Sequence, residues 1–547
     1  MSYVFEKYIN EKFDDSGVLS EISFNIPSDF NFGFDVVDDI ASRCPEKRAM
    51  LWCDEEGNER TFTFGDISRL SNKAANVFKN AGIKKGDMVM LVLKRHYQFW
   101  YAIMGLCKIG AVAIPGTNML TTKDLVYRFD AAGVKAIVCT IPDPASDYAA
   151  EAAAVCPSMQ IMFGVNGKKE GFLDFDSLIE EASDVFTRPE GEDAIKVEDM
   201  MLLYFTSGTT GYPKMVWHDF SYPLAHIITA RHWHSVVPEG LHLTVAETGW
   251  GKAVWGKLYG QWFCEAGIFV YDFGRFVAKN LLSMLEKYRI TTFCAPPTIY
   301  RFFLAEDLSQ YDLSSIREAT IAGEALNPEV YKDFYKHTGL KLREGFGQTE
   351  TTLTVCTLSG MEPKPGSMGK PSPAYKADII LNGESAKPGV TGEIVLKLGE
   401  EKQCGLFGGY YRDEERYATV CKDGYYHTGD MAWRDEDNYF WYVGRTDDLI
   451  KSSGYRIGPF EVESVLMEHP AVLECGVTGV PDPVRGQVVK ATIVLNSGYT
   501  PSDELKKDIQ NYVKSHTAPF KYPRIVEFVD ELPKTISGKI RRVELRK

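Results

Sequence analysis

Between about residue 35 and residue 440, short apolar runs rich in β-branched residues alternate with longer segments whose apolar positions recur every three or four residues. The runs at 88–93, 136–139, 201–205, 267–271, 292–295 and 319–322 predict strands, and 281–288 and 328–338 predict helices. This alternation predicts α/β layers with mostly parallel sheets, because a parallel strand must be followed by a crossover, usually helical. From about residue 450 the pattern changes. Gly458-Pro459 precede a helical stretch with Val462, Val465 and Leu466 on one face, ending near His469-Pro470. β-rich runs follow at 473–480 and 488–495. Thr500-Pro501 then open a second helix, with Asp503 in its first turn and Leu505, Ile509, Tyr512 and Val513 aligned. A small α+β domain is expected there. The polar stretch Gly444-Arg445-Thr446-Asp447-Asp448 marks the boundary, giving a large domain 1–446 and a small one 447–547.

Composition narrows the class. A chain of 547 residues with 44% hydrophobic and 25% charged residues reads as a multi-domain globular protein. Its 61 Lys+Arg against 75 Asp+Glu give a net charge of −14, which works against sequence-independent binding to nucleic acid. The most apolar region, 99–115, is interrupted by Lys108 and is too short to cross a bilayer, so no transmembrane segment is expected. The N-terminal stretch lacks the basic start and apolar run of a secretory signal. Eleven scattered cysteines without a CxxC pair read as reduced thiols. Together these predict a cytoplasmic location; the oligomeric state stays open. His232, His234 and His242 lack metal-ligand spacing and read as structural. The aromatic run His96–Tyr101 reads as part of a buried helix.

The chemistry starts at Thr206-Ser207-Gly208-Thr209-Thr210-Gly211-Tyr212-Pro213-Lys214, directly after an apolar strand. Glycines let a backbone approach an anion, hydroxyls and amides donate to it, and Lys214 adds charge. The spacing is not that of a P-loop, and taken alone the segment also fits a polar hairpin loop. Four later stretches accompany it: Glu344-Gly345-Phe346-Gly347-Gln348-Thr349-Glu350, Tyr426-His427-Thr428-Gly429-Asp430, the segment 444–458 (GRTDDLIKSSGYRIG) and the segment 533–539 (PKTISGK). These five, in this order, resemble the adenylate-forming superfamily of acyl-CoA synthetases, luciferases and peptide-synthetase adenylation domains. SSGYRIGP, EHPAV, PDPVRG and APFKYPR are most similar to its medium-chain acyl-CoA synthetases.

The resemblance implies a large N-terminal adenylation domain and a small mobile C-terminal one. It also implies a two-step reaction in fatty-acid and lipid metabolism. A carboxylic acid and ATP give an acyl adenylate and pyrophosphate, and CoA then takes the acyl group with release of AMP. It assigns Thr206 and Lys214, with the intervening loop, to the ATP phosphates. Thr349 and Glu350 go beside the α-phosphate, with Glu350 also the ligand for Mg²⁺. Gly323, Glu324, Glu344, Gly345 and Phe346 line the adenine, and Gln348 belongs to the same nucleotide site. Asp430 and Arg445 meet the ribose, and Arg456 meets the AMP phosphate in one domain orientation. Lys539 is the catalytic lysine, bridging carboxylate and α-phosphate oxygens, and Asp447 is the hinge. Ser453, Gly454 and Tyr455 are expected along the CoA channel, with Arg485 and Lys514 at the CoA nucleotide.

For the acyl group, the resemblance points to a pocket at Trp250, Lys252, Trp255 and Gly347. Acetate-specific relatives carry tryptophan where this chain has Gly347, so a short-to-medium or branched acid is expected here. Lys252 either points to solvent, which burial preferences favour, or pairs with a polar group. Two other readings share the adenylation chemistry: an enzyme that loads a carrier protein, and a luciferase-type oxidoreductase.

Overall fold

The computed structural model describes residues 2–206, 213–400, 402–453, 455–534 and 540–546. The strands expected from the apolar runs are present, and each is longer or shorter by at most a few residues. Met88–Val92 is buried at all five positions. A strand covered on both faces has no polar alternation to keep, and so it reads as one continuous run.

Two large sheets carry most of the chain. The first has eight strands and runs Gly409–Tyr410, Lys214–Asp219, Met200–Thr206, Val112–Pro115, Met88–Val92, Val134–Thr140, Ile161–Val165, Leu173–Asp174. Its pairs are parallel except for those made by Lys214–Asp219. The second has nine strands and is parallel at its centre, where Leu241–Thr244 lies between Gly267–Asp272 and Thr292–Ala295. Glu318–Ile321 and Leu342–Gly347 continue it in parallel. These sheets meet the α/β expectation.

A third sheet does not. Strands Ala377–Leu381, Gly392–Lys397, Tyr425–Arg434 and Phe440–Arg445 pair antiparallel, within a region whose alternation predicted parallel layers. Strands adjacent here need no crossover helix, and among the described residues Glu414–Val420 is the one helix between Ala377 and Arg445. The C-terminal domain is α+β as expected. Gly486–Leu495 lies between Val472–Asp482 and the parallel strand Ile525–Phe528, under helices Pro459–Met467 and Asp503–His516. The latter helix is capped by Ser502, whose side chain accepts from Leu505 N, and not opened by Thr500-Pro501.

The apolar stretch interrupted by Lys108 is helix Gln98–Ile109 followed by strand Val112–Pro115. Lys108 is buried, and its ammonium is held by Asp38 at 2.7 Å and Asn72 Oδ1 at 2.6 Å. No helix among the described residues is long and apolar enough to cross a membrane.

Candidate active site

Several of the expected site residues sit just past the carboxyl ends of parallel strands, where open α/β sheets leave a crevice. Thr206 ends Met200–Thr206, Gly323 and Glu324 follow Glu318–Ile321, and Gln348 follows Leu342–Gly347. Glu247 and Trp250 follow Leu241–Thr244. Thr206 and Lys214 are antiparallel partners, so the two ends of the hydroxyl-rich loop are held together. Ser207, Gly208, Thr209, Thr210 and Gly211 lie outside the described residues.

Lys214 Nζ stands 5.3 Å from the centre of the Tyr410 ring. Burial pulls its pKa down, while the nearby charge of Glu350 opposes that shift. Glu350 is buried, and its Oε1 accepts from Tyr410 OH at 2.9 Å. Tyr410 hydroxyl titration is pushed up by burial and by Glu350, so the phenol remains a donor. Thr349 lends its carbonyl to His218 Nε2, 2.7 Å away. Burial pushes His218 down to about 3, so this ring is a neutral N–H donor at physiological pH.

The third sheet supplies the other wall. Asp430 is buried and accepts from Tyr442 OH at 3.0 Å, from Arg445 NH1 at 3.2 Å and from Gln348 Nε2. Arg445 also donates to Thr428 O at 2.9 Å. Gln348 Nε2 donates to the same carbonyl at 2.8 Å, and Gln348 Oε1 accepts from Tyr426 OH at 2.6 Å. Gln348, Asp430 and Arg445 thus form one network that ties the parallel sheet to the antiparallel one. Tyr426 and Tyr442 complete it, while Tyr410 and His218 hold the adjoining Glu350 and Thr349. Of these four only Tyr426 lies in one of the motif stretches of the sequence; Tyr410, His218 and Tyr442 are lone rings that carry no spacing signal.

Glu344 is buried deep under the strand, and burial raises its carboxyl well above the usual range. Gly345 faces Trp233: a Cβ there would stand 2.7 Å from Trp233 Cζ2. Phe346 lies beside Tyr442, with ring centres 6.3 Å apart. Gly323 has φ +108°, a backbone that favours glycine, and is open to solvent together with Glu324.

Two acyl-pocket expectations change. Lys252 does not turn to solvent: its Nζ donates to Ala322 O at 2.9 Å, and burial lowers its pKa. The carbonyl at the end of a parallel strand is the partner an interior ammonium requires. Gly347 has a reason of its own to be glycine. A Cβ at 347 would stand 2.2 Å from Thr352 O, across a register shift between Leu342–Gly347 and Leu353–Cys356. The missing side chain follows from strand packing, and by itself it does not report acyl length. Trp250 caps helix Gly251–Gly256, and the Trp255 ring lies 6.2 Å from Trp233. His234 and His242 stack at 4.3 Å and are hydrogen-bonded to Gln261, Thr244 and Thr292.

Glu247 occupies the loop before Trp250. Burial pushes its carboxyl up from 4.5 to about 7, against the pull of Arg95. An acid with a raised folded-state pKa loses folding stability as pH climbs between those two values. Glu247→Gln keeps the shape without the charge, so it is expected to stabilise the protein more at pH 8 than at pH 5, by roughly 2 kcal/mol. Denaturant midpoints at the two pH values check this; an equal change at both would overturn it.

In the C-terminal domain, Ser453 and Arg485 are brought together: Ser453 N donates to Arg485 O at 2.9 Å, and Arg485 NH1 to Ser453 Oγ at 3.1 Å. The Tyr455 ring stacks on Phe520 at 4.0 Å, and Lys514 lies over the Tyr522 ring at 5.7 Å. Arg456 is exposed on strand Tyr455–Ile457. Asp447 O accepts from Arg546 NH2 at 3.1 Å, and Arg445 Nε lies 3.6 Å from Asp447 Oδ1. Gly454 and Lys539 lie outside the described residues.

Comparison with known proteins fits this architecture. The family model described as AMP-binding enzyme matches residues 37–411, and that described as AMP-binding enzyme C-terminal domain matches 461–539. The chain is 42% identical over 539 residues to the mitochondrial acyl-coenzyme A synthetase ACSM3 of Mus musculus, covering 96% of this chain and 92% of that one. It is 42% identical over 532 residues to the mitochondrial acyl-coenzyme A synthetase ACSM5 of Homo sapiens, covering 95% and 91%. Among solved structures, the anthranilate CoA ligase AuaEII in complex with anthranoyl-AMP superposes with a TM-score of 0.87 at 28% identity, covering 95% of this chain and 97% of that one.

Proposed function

The chain belongs to the AMP-binding enzyme family, and from that premise we propose that it is an ATP-dependent acyl-CoA synthetase acting on a short-to-medium-chain or branched acid. The observation that carries this reading is the network joining Gln348, Asp430 and Arg445 across two sheets, with Lys214 and Glu350 alongside. It sets a buried carboxylate for paired hydroxyls next to fixed positive charge for phosphates. That is the donor set a ribose and its phosphates require.

The acid's carboxylate attacks the α-phosphorus of ATP, the bond to the bridging oxygen breaks, and pyrophosphate leaves. Two anions must meet, and Lys214 supports their approach from a half-buried position where its charge is poorly screened. Asp430 orients the ribose with its two oxygens, themselves fixed by Tyr442 and Arg445. Magnesium on the phosphates would neutralise charge there. Glu350, its Oε1 already held by Tyr410, would supply the single carboxylate such an ion takes beside substrate oxygens. In the second step the CoA sulfur attacks the acyl carbon, its proton is lost, and AMP leaves. The paired Ser453 and Arg485, with Tyr455 and Lys514 of the same domain, would line the CoA path, and Asp447 would be the hinge between the two steps. All eleven cysteines are free and nine are buried, which supports a reducing compartment such as the cytoplasm; the ACSM3 and ACSM5 relatives are named as mitochondrial.

The test is pyrophosphate release over acids from acetate to dodecanoate, including branched and aryl acids, with and without CoA. Sustained turnover between butanoate and decanoate that requires CoA is expected. Turnover on acetate alone would overturn the chain-length reading. A single turnover despite CoA would overturn the acceptor.

A further inference from the structure

The first 34 residues carry no motif, yet the structure folds part of them against the acyl side of the site. Strands Ile9–Phe13 and Leu19–Phe24 form an antiparallel hairpin. Val18 and Leu19, at its turn, are buried in one apolar cluster with Trp233, Ala322 and Leu353, against which Trp255 packs. Three of the four acyl-pocket candidates reach that cluster, and the fourth, Trp250, starts the helix of one of them. Trp255 packs against it, Lys252 donates to Ala322 O, Gly347 pairs with Leu353, and Trp250 caps the helix that carries Trp255.

The hairpin is also fastened by charge. Glu11 accepts from Arg231 Nε at 3.1 Å and from His232 Nε2 at 2.5 Å. Both donors belong to the π-helical turn Thr229–Trp233, which ends in Trp233. Turns of this type often mark functional sites. Trp233 is fully buried, pressed on one side by Gly345 and set 6.2 Å from the Trp255 ring. Its position is therefore fixed from behind by the hairpin and in front by the strand Leu342–Gly347.

We infer that the N-terminal hairpin is the outer wall of the acyl pocket, with Glu11 and Leu19 acting as positioning residues that set acyl length through Trp233 and Trp255. The inference rests on the acid site proposed above. Neither side chain touches substrate. Leu19 fills the space into which the tryptophans would otherwise relax, and Glu11 holds the turn that bears one of them. A close-packed wall of this kind transmits the loss of a few methylenes.

The experiment compares wild type, Leu19→Ala and Glu11→Gln on the same panel of acids, reading kcat/KM for each acid and KM for ATP. In both variants the acid of highest kcat/KM is expected to be longer by one or two carbons. The preference for it over the wild-type optimum should change by roughly tenfold, as one methylene does in an apolar pocket. KM for ATP is expected to stay put. Activities that fall by one common factor over all acids, with the profile unchanged, would overturn the inference and leave the proposed activity standing. If Leu19→Ala does not fold, Glu11→Gln, which keeps size and removes only charge, decides by the same criterion. A wild-type enzyme silent on every acid would overturn both readings.

Discussion

Lys539→Ala is expected to reduce acyl-adenylate formation by roughly 10²–10³-fold, the cost of deleting one charged donor aimed at a transition state. Thioester formation from supplied acyl-AMP is expected to continue at close to the wild-type rate. The asymmetry follows from the chemistry of the two steps. The first brings a carboxylate to a phosphate, so a cation bridging their oxygens acts on charge that is concentrated during attack. The second brings a sulfur to an already activated acyl carbon, and AMP departs with its own charge. Among the described residues that flank this stretch, Lys534 and Ile540 pair in an antiparallel bridge, and Arg541 N donates to Pro533 O at 2.8 Å. The helix Arg542–Leu545 then anchors to the domain, with Arg542 NH2 on both oxygens of Glu463 at 2.8 and 2.7 Å. Pyrophosphate exchange measures the first step and acyl-CoA formation from synthetic acyl-AMP the second. Equal losses in both would overturn the division of labour.

Asp430→Ala is expected to raise KM for ATP about a hundredfold, since a charged hydrogen-bond partner inside a protein is worth about 1.5–3 kcal/mol. The carboxylate does two things at once. In the proposed reaction it offers its oxygens to the ribose, and it is the nearer of two carboxylates that neutralise Arg445, the other being Asp447. Burial lowers the pKa of Arg445, but Asp430 and then Asp447 raise it further, so the guanidinium stays charged. Breaking such a pair by removing one partner also destabilises the fold. Thermal denaturation of Asp430→Asn, which keeps the shape and two polar atoms, separates that effect from ATP binding. Tyr442→Phe deletes a single one of the donors to Asp430 and is expected to cost a few-fold in KM, near 1 kcal/mol. A KM for Asp430→Ala indistinguishable from that of Tyr442→Phe would remove Asp430 from the nucleotide site. Calorimetric titration with ATP gives the same comparison without turnover.

The elements that were legible in the sequence are those whose cause is local. Met88–Val92 and Thr292–Ala295 are uninterrupted apolar runs because both faces of a parallel sheet are covered. Helix Pro328–Thr338 announces itself through proline at its first turn, the Asn327 cap and Gly339 at its end. The glycine- and hydroxyl-rich stretches were legible for the same reason: what they need from a backbone is met within a few neighbouring residues. Antiparallel pairing from Ala377–Leu381 to Phe440–Arg445 was not, because alternation in sequence does not say which edge a strand joins.

The sequence determined the α/β class, the change of pattern near residue 450, and the order of residues able to handle phosphates and a ribose. Each depends on side-chain periodicity or on a short run of residues. Tertiary structure alone decided what those residues meet. It turned Lys252 from solvent to the carbonyl of Ala322, made Gly347 a requirement of strand packing, and set Tyr410 on Glu350. It also brought Glu11 and Leu19, from a segment without any motif, against Arg231, His232 and the apolar cluster that holds Trp233. Burial and partnership are properties of residues far apart in the chain. Glu11 and His232 are 221 positions apart, and only folding brings them within hydrogen-bond distance.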